Sequence, residues 1–98
     1  MNNYELQVTK AFEKRLKKIL KKAPELETKI SKKLILLADN PFSPILKTHK
    51  ADTRIYGIRF SSSITDDIRI IWDFDKDENT IILLLTIGGH SGKNKVYK

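Results

Sequence analysis

The chain has 98 residues, and its 19 lysine and arginine side chains outnumber 12 acidic ones, which gives a formal net charge of +7. An apolar share of 40% excludes a disordered chain, and no apolar run reaches the ~18 residues of a membrane-spanning helix. The absence of cysteine excludes disulfides, thiol nucleophiles and thiolate metal sites. We expect a single domain over residues 1–98. Because no secretory signal is recognisable, we expect it in the cytoplasm, with no membrane contact. The basic charge favours a nucleic acid or an acidic protein as its partner.

The first half of the chain predicts a strand followed by two helices. Apolar residues alternate with polar ones in the strand, at Tyr4, Leu6 and Val8. Thr9 then caps a helix that Pro24 stops, with apolar residues at helical spacing: Phe12, Leu16, Ile19 and Leu20. A second helix starts near Pro24 and ends at Asn40-Pro41. Its apolar stripe consists of Leu26, Ile30, Leu34 and Leu37, widened by Ile35, Leu36 and Ala38.

The second half predicts three strands. Residues 45–50 are expected to be irregular or edge structure. We expect a hairpin of two strands joined by a turn at Ser61–Ser63. The first strand has Tyr56, Ile58 and Phe60 on one face, and the second has Ile68, Ile70 and Trp72 on one face. The apolar run 81–87 is typical of a central strand buried on both faces. The predicted fold is α+β: an N-terminal strand, a helical hairpin and a three-stranded antiparallel meander, with the helices on one face of a largely antiparallel sheet.

Polar residues on the uncovered face of the sheet are the first candidates for a site. Strand alternation directs Arg69 away from Ile68 and Ile70, and Arg59 and Asp67 are further candidates. The Arg69 guanidinium is suited to bind a phosphate through two parallel hydrogen bonds. A cross-strand ion pair with a carboxylate is an equally good interpretation, and the sequence leaves both open.

The two histidines are the second set of candidates, because an imidazole transfers protons near neutral pH. His90 follows Gly88-Gly89 at the end of the predicted central strand, and His49 lies between Thr48 and Lys50. Each taken alone is also consistent with an incidental surface residue. They lie 41 positions apart and the chain has no cysteine, so they form no recognisable zinc motif. We therefore expect neither a metal nor a cofactor.

The order of the predicted elements and four short segments together resemble the RelE/ParE superfamily of bacterial toxins. These segments are Thr48-His49-Lys50, the strand 67–72, the ending Ile87-Gly88-Gly89-His90, and Val96-Tyr97. The spacing between His90 and the final tyrosine is longer than is common in the family. The resemblance implies a RelE-like fold and the toxin of a type II toxin–antitoxin module. The histidines and the final aromatic residue favour the RelE, YafQ and YoeB-like branch, which cleaves mRNA, commonly on the ribosome.

Residue by residue, the resemblance implies that Arg69 stabilises the scissile phosphate and that His90 acts as the general acid. His49 is then the preferred base, although the two histidine roles can be exchanged. Asp67 would orient an imidazole or the substrate, and Tyr97 matches the terminal aromatic residue. Basic residues beside these positions are candidates for binding RNA phosphates: Lys47, Lys50, Arg54, Arg59, Lys93 and Lys95.

The implied partners are mRNA, the ribosome and a cognate acidic antitoxin, with which the chain would form a hetero-oligomer. Two alternatives stay open at this point. A ParE-like toxin of the same fold would inhibit DNA gyrase without cutting RNA, and a decayed toxin homologue would bind RNA without cleaving it.

Overall fold

The computed structural model describes residues 3–89, which form five strands and two helices in one α+β unit. The order along the chain begins with β1 (Glu5–Val8), α1 (Lys10–Lys22) and α2 (Glu27–Asp39). It continues with β2 (His49–Thr53), β3 (Gly57–Ser63), β4 (Ile68–Phe74) and β5 (Ile81–Gly89). Short 3-10 turns at Pro24–Leu26 and Pro44–Leu46 precede α2 and β2. The predicted fold class is therefore confirmed.

Thr9 begins the first helix as predicted. Its hydroxyl accepts a hydrogen bond from the backbone N–H of Phe12 at 3.2 Å, which satisfies a donor that the first turn leaves without a helical partner. The same hydroxyl donates to the carbonyl of Leu84 on β5 at 2.7 Å. One side chain thus starts α1 and fixes it to the sheet.

The five strands form one sheet in the order β1-β5-β4-β3-β2. β1 pairs with β5 in parallel, and the remaining neighbours are antiparallel. The long connection through the helical hairpin makes the parallel pair possible, since parallel neighbours need a crossover. β5 thus lies inside the sheet between β1 and β4, as predicted for a central strand. Burial on both faces is only partly present, because Ile81, Leu83 and Leu85 are half-buried.

Both helices pack on one face of the sheet. Phe12 of α1 and Ile30 and Leu37 of α2 are at most 2% exposed. They belong to one cluster with the inward-facing residues of β4 and β5, which are Ile70, Trp72, Ile82, Leu84 and Ile87. The hydrophobic core therefore fills the space between the helical layer and this helix-covered face.

Several local predictions were wrong. Ser61–Ser63 do not turn but complete β3, and the chain reverses at residues 64–67 instead. Tyr56 precedes β3 rather than lying in it, because Gly57 supplies the left-handed backbone (φ 75°) that ends the preceding turn. Residues 49–53 form a regular edge strand, so the meander has four strands instead of three. Ile35 is 62% exposed and does not join the buried stripe of α2.

None of the helices within residues 3–89 is long and apolar enough to cross a membrane.

Candidate functional site

The register of the sheet collects polar side chains on the far face, which we define as the side opposite the helices. Ser62 and Phe60 of β3 stand opposite Ile70 and Trp72 of β4, so these four residues share the helix-covered face. Alternation then places a second set on the far face: His49, Arg59, Ser61, Ser63, Arg69 and Asp73. The orientation predicted for Arg69 is consistent with this register.

Arg69 stands opposite Ser63 on one side and Gly88 on the other. Gly88 contributes no side chain there, and its backbone is buried. One guanidinium nitrogen, Nη1, donates to the carbonyl oxygens of Thr65 and, at 3.2 Å, Ile68. Within residues 3–89 the guanidinium contacts no carboxylate, and its Nε and Nη2 donors have no hydrogen bond. The Arg69 guanidinium is therefore anchored through Nη1 to the turn at 65–68.

The cross-strand ion pair on this face belongs to Arg59 instead. Its Nη1 lies 2.7 Å from a carboxylate oxygen of Asp73, and its Nε donates to the carbonyl of Tyr56 at 3.0 Å. The pair is partly exposed, with 40% and 27% of the two side chains accessible. Arg59 is therefore paired with a carboxylate, whereas Arg69 has no such partner within residues 3–89.

His49 is the first residue of the edge strand β2, and its side chain is exposed on the far face. The ring Nδ1 lies 2.9 Å from the carbonyl oxygen of Lys47. A carbonyl only accepts, so Nδ1 carries the proton in this contact and the neutral ring has its lone pair on Nε2. Lys47 has the left-handed backbone (φ 50°), which is uncommon outside glycine. The Lys47 carbonyl therefore orients the His49 ring, with Nε2 as the acceptor atom of the neutral form.

A series of three hydrogen bonds holds Thr48, the residue before His49. The indole Nε1 of Trp72 donates to the hydroxyl of Ser62 at 2.8 Å, and the Thr48 hydroxyl donates to the carbonyl of Pro41 at 2.6 Å. The two hydroxyls lie 2.7 Å apart. Because the single proton of Thr48 is used on Pro41, Ser62 must donate to Thr48. This series joins β4, β3 and the start of β2, and it explains why serine occupies a buried position on β3.

On the far face His49 lies on β2 and Arg69 on β4, with β3 between them, and the two positions are offset by two residues along the strands. With ~4.8 Å between strands and ~3.4 Å per residue, their Cα atoms are separated by about 12 Å. The Arg69 side chain extends toward the turn at 65–68, where its Nη1 is bound. The structure therefore places two of the predicted catalytic residues on the same face of the sheet.

The other predicted site residues divide into three groups. Asp67 is exposed in the turn before β4, where its backbone N–H donates to Thr65 Oγ1, and it makes no hydrogen bond to His49. Lys50 stands opposite Phe60, with its ammonium 5.9 Å from that ring, so it points to the helix-covered side; Arg54 lies in the turn before β3. Four predicted residues lie outside the described residues: His90, Lys93, Lys95 and Tyr97.

A groove beside Arg69 was missed by the sequence reasoning. It has a volume of about 460 Å³. Its charged and hydroxyl lining comes from α2, the segment before β2, the end of β3 and the β3–β4 turn: Lys29, Lys33, Lys47, Ser63, Thr65, Asp66 and Asp67. We call this cavity the lysine groove. The spacing of Lys29 and Lys33, one helical turn apart, was visible in the sequence. Nothing in the sequence indicated that the turn at 65–67 would lie across from them.

Across residues 3–89 the structure has no group of three histidine or acidic side chains placed to hold a metal ion.

Solved structures of bacterial toxins share this fold. The chain matches YafQ from E. coli with a TM-score of 0.67 at 16% identity, over 88% of this chain and 92% of that one. It matches a chain of the E. coli DinJ–YafQ toxin–antitoxin complex with a TM-score of 0.69 at 16% identity, over 90% and 93%. A copper-bound mutant toxin from Helicobacter pylori gives 0.64 at 21% identity, over 89% and 94%. No curated protein sequence matches significantly. The architecture is that of the RelE-like toxins.

The family follows from the sequence profile described as "ParE toxin of type II toxin-antitoxin system, parDE", which matches residues 6–93. The chain belongs to this family and thus to the RelE/ParE superfamily of type II toxins. The family resemblance expected from the sequence is confirmed.

Proposed function

We propose that this toxin is an endoribonuclease that cleaves mRNA on the ribosome without a metal cofactor. The observation that carries the proposal is the shared placement of His49 and Arg69 on the far face. His49 offers an exposed Nε2 lone pair, and Arg69 offers guanidinium donors that no carboxylate within residues 3–89 engages. A base and a phosphate-binding cation are two of the three groups that RNA cleavage by its own 2′-hydroxyl requires.

The reaction then follows from these side chains. His49 Nε2 takes the proton of a ribose 2′-hydroxyl, and that oxygen attacks the adjacent phosphorus. Arg69 stabilises the charge that builds on the phosphate oxygens. The bond from phosphorus to the 5′-oxygen breaks, and His90 gives that oxygen its proton. The products are a 2′,3′-cyclic phosphate and a free 5′-hydroxyl. Asp67 and Tyr97 complete the proposed site as positioning residues.

The proposed partners are the ribosome, mRNA and a cognate acidic antitoxin that forms a hetero-oligomer with this chain. The net charge of +7 supports both kinds of partner, because a strongly basic surface attracts phosphates and acidic peptides alike. The similar fold of the toxin in the DinJ–YafQ complex supports an antitoxin in particular. We place the protein in the cytoplasm, where these partners are found.

A second candidate function is inhibition of DNA gyrase, which the match to the ParE family profile favours. In that case binding alone would be toxic, and removing the imidazole of His49 would leave toxicity intact. A decayed toxin that binds RNA without cleaving it is the third possibility retained from the sequence.

Controlled expression followed by mapping of RNA 5′ ends separates these functions. The proposal predicts new 5′ ends inside translated codons, and predicts that they disappear in His49→Ala and Arg69→Gln. Losing one proton-transfer group costs about 10²–10⁴-fold in rate. Lys76→Ala, an exposed change in the β4–β5 turn, serves as the matched control and should cut normally. A DNA-damage response without RNA ends would instead support gyrase inhibition, and neither signal would support the decayed toxin.

A further inference from the structure

The lysine groove holds opposite charges that do not neutralise one another. Lys29, Lys33 and Lys47 contribute three ammonium groups, and Asp66 and Asp67 contribute two carboxylates. None of these five side chains forms a salt bridge with another described residue. A ligand with both anionic and hydrogen-bond-donating parts would satisfy both charge types at once.

The groove is connected to both proposed catalytic side chains through the backbone. The Thr65 carbonyl, in the groove-lining turn, accepts a hydrogen bond from Arg69 Nη1. The Lys47 carbonyl, on another part of the lining, accepts one from His49 Nδ1. Two residues of the groove lining therefore hold the two proposed catalytic side chains through their carbonyl oxygens.

We propose that the lysine groove is a nucleotide subsite beside the cleavage point. The lysines bind a neighbouring phosphate, Asp66 and Asp67 accept hydrogen bonds from the amino group of the base, and Ile45 packs against the base. Ile45 lines the groove and is 63% exposed, so an apolar surface is available there. The inference deepens the proposed RNA cleavage and rests on it, because it makes this subsite the source of base preference.

The chemistry of the carboxylates sets the expected preference. Aspartate only accepts hydrogen bonds, so it favours bases that present an amino group, such as cytosine, over uracil, which presents carbonyls at the equivalent position. An acidic side chain offers only a negative charge, which suits the lysines and is repelled by Asp66 and Asp67, whereas a nucleotide offers a phosphate to the lysines and an amino group to these carboxylates. Of the two polyanionic partners, RNA therefore fits this groove better than the antitoxin.

Direct binding of mononucleotides to the isolated full-length protein tests the subsite. The protein is titrated with CMP and with UMP while its backbone amide NMR shifts are recorded. The amide shifts of Thr65, Asp66 and Asp67 should change, and CMP should bind roughly fivefold more tightly than UMP. Asp66→Asn should bring the CMP-to-UMP ratio to about one, because an amide both donates and accepts. Lys33→Ala should weaken both nucleotides, whereas Lys18→Ala, on α1 outside the groove, should weaken neither.

Three results would overturn the subsite. The first is that inorganic phosphate reproduces all the shifts, with no difference between the nucleotides. The second is that the shifted amides lie away from the turn at 64–67. The third is that a glutamate-rich decapeptide displaces CMP and binds more tightly, which would assign the groove to an acidic protein.

Cleavage assays distinguish failure of this inference from failure of the proposed function. If wild-type protein cuts RNA and Asp66→Asn leaves its base preference unchanged, the subsite is wrong and the endoribonuclease stands. If CMP binds the groove with the expected preference and no RNA is cut, the subsite binds nucleotides as described and the proposed function is wrong.

Discussion

Replacing Ser62 by alanine should destabilise the protein far more than the loss of one hydroxyl suggests. Ser62 is 1% exposed, and its oxygen both accepts from the Trp72 indole and donates to Thr48. The Trp72 ring is fully buried, so its N–H has no access to water after the change. A buried donor without a partner costs ~1–3 kcal/mol, and the lost bond to Thr48 adds about 1 kcal/mol. We expect the free energy of unfolding to fall by roughly 3 kcal/mol in total.

Urea unfolding followed by far-UV circular dichroism measures this free energy, and thermal unfolding followed in the same way measures Tm. For a domain of this length ~1 kcal/mol lowers Tm by about 4–8 °C, so Ser62→Ala should lower Tm by more than roughly 10 °C. Ser63→Ala is the matched control: that hydroxyl donates to the Thr65 carbonyl at a half-buried position. Its loss should cost about 1 kcal/mol or less.

A double-mutant cycle isolates the buried donor. Trp72→Phe removes the indole N–H, so Ser62→Ala should cost at least ~1 kcal/mol less in the Trp72→Phe background than in the wild type. If Ser62→Ala costs no more than Ser63→Ala, or if the two changes at 62 and 72 are additive, the hydrogen-bond chain does not stabilise the fold as argued.

Three further effects follow from contacts elsewhere in the fold. Thr9→Ala should lower the free energy of unfolding by about 1–2 kcal/mol, because it removes the helix cap, whereas Thr9→Ser should be close to neutral in the same denaturation assay. A double-mutant cycle on Arg59 and Asp73 should give a coupling of only ~0.2–1 kcal/mol that shrinks in high salt; a larger, salt-independent value would contradict a partly exposed pair. Phe12→Ala should lower the free energy of unfolding by roughly 3–5 kcal/mol, because Phe12 is 1% exposed. Ile35→Ala should change it by no more than about 0.5 kcal/mol, because Ile35 is 62% exposed. Similar losses at both positions would refute the assigned packing of the helices.

The elements that the sequence predicts best are those with strong periodicity. The stripe of α1, its threonine cap, and the apolar run of β5 depend on local spacing and capping chemistry, and each is present. β2 was harder to predict, because His49–Thr53 is an exposed edge strand with little alternation of apolar and polar residues. Ile35 was wrongly assigned to the core, because the predicted apolar stripe of α2 included a position that is exposed to solvent.

The serine run was misinterpreted for a physical reason. Three successive serines are typical of a turn when only local preference is considered. In the folded chain Ser62 is the acceptor for a buried indole from another strand, and tertiary contact outweighs local preference. A sequence-based argument has no access to that partner until the strand register is known.

The geometry of the candidate site was also predicted only in part from the sequence. Strand alternation was enough to predict which way Arg69 points, but not that Arg59 would take the nearby carboxylate and leave Arg69 without one within residues 3–89. The tautomer of His49 depends on the Lys47 carbonyl, and the lysine groove depends on a turn meeting a helix from a distant part of the chain. The chemical roles of these residues stay predictions.

The central claim is that the RNA's own 2′-hydroxyl is the nucleophile and that His49 and Arg69 act on it. The most direct measurement offers programmed ribosomes an mRNA with a single 2′-deoxy nucleotide at the mapped cleavage position, alongside the all-ribose mRNA. We predict that only the all-ribose mRNA is cut, leaving a 2′,3′-cyclic phosphate, and that Arg69→Gln abolishes the cut. Equal cleavage of both mRNAs, or a 5′-phosphate on the downstream product, would contradict the account.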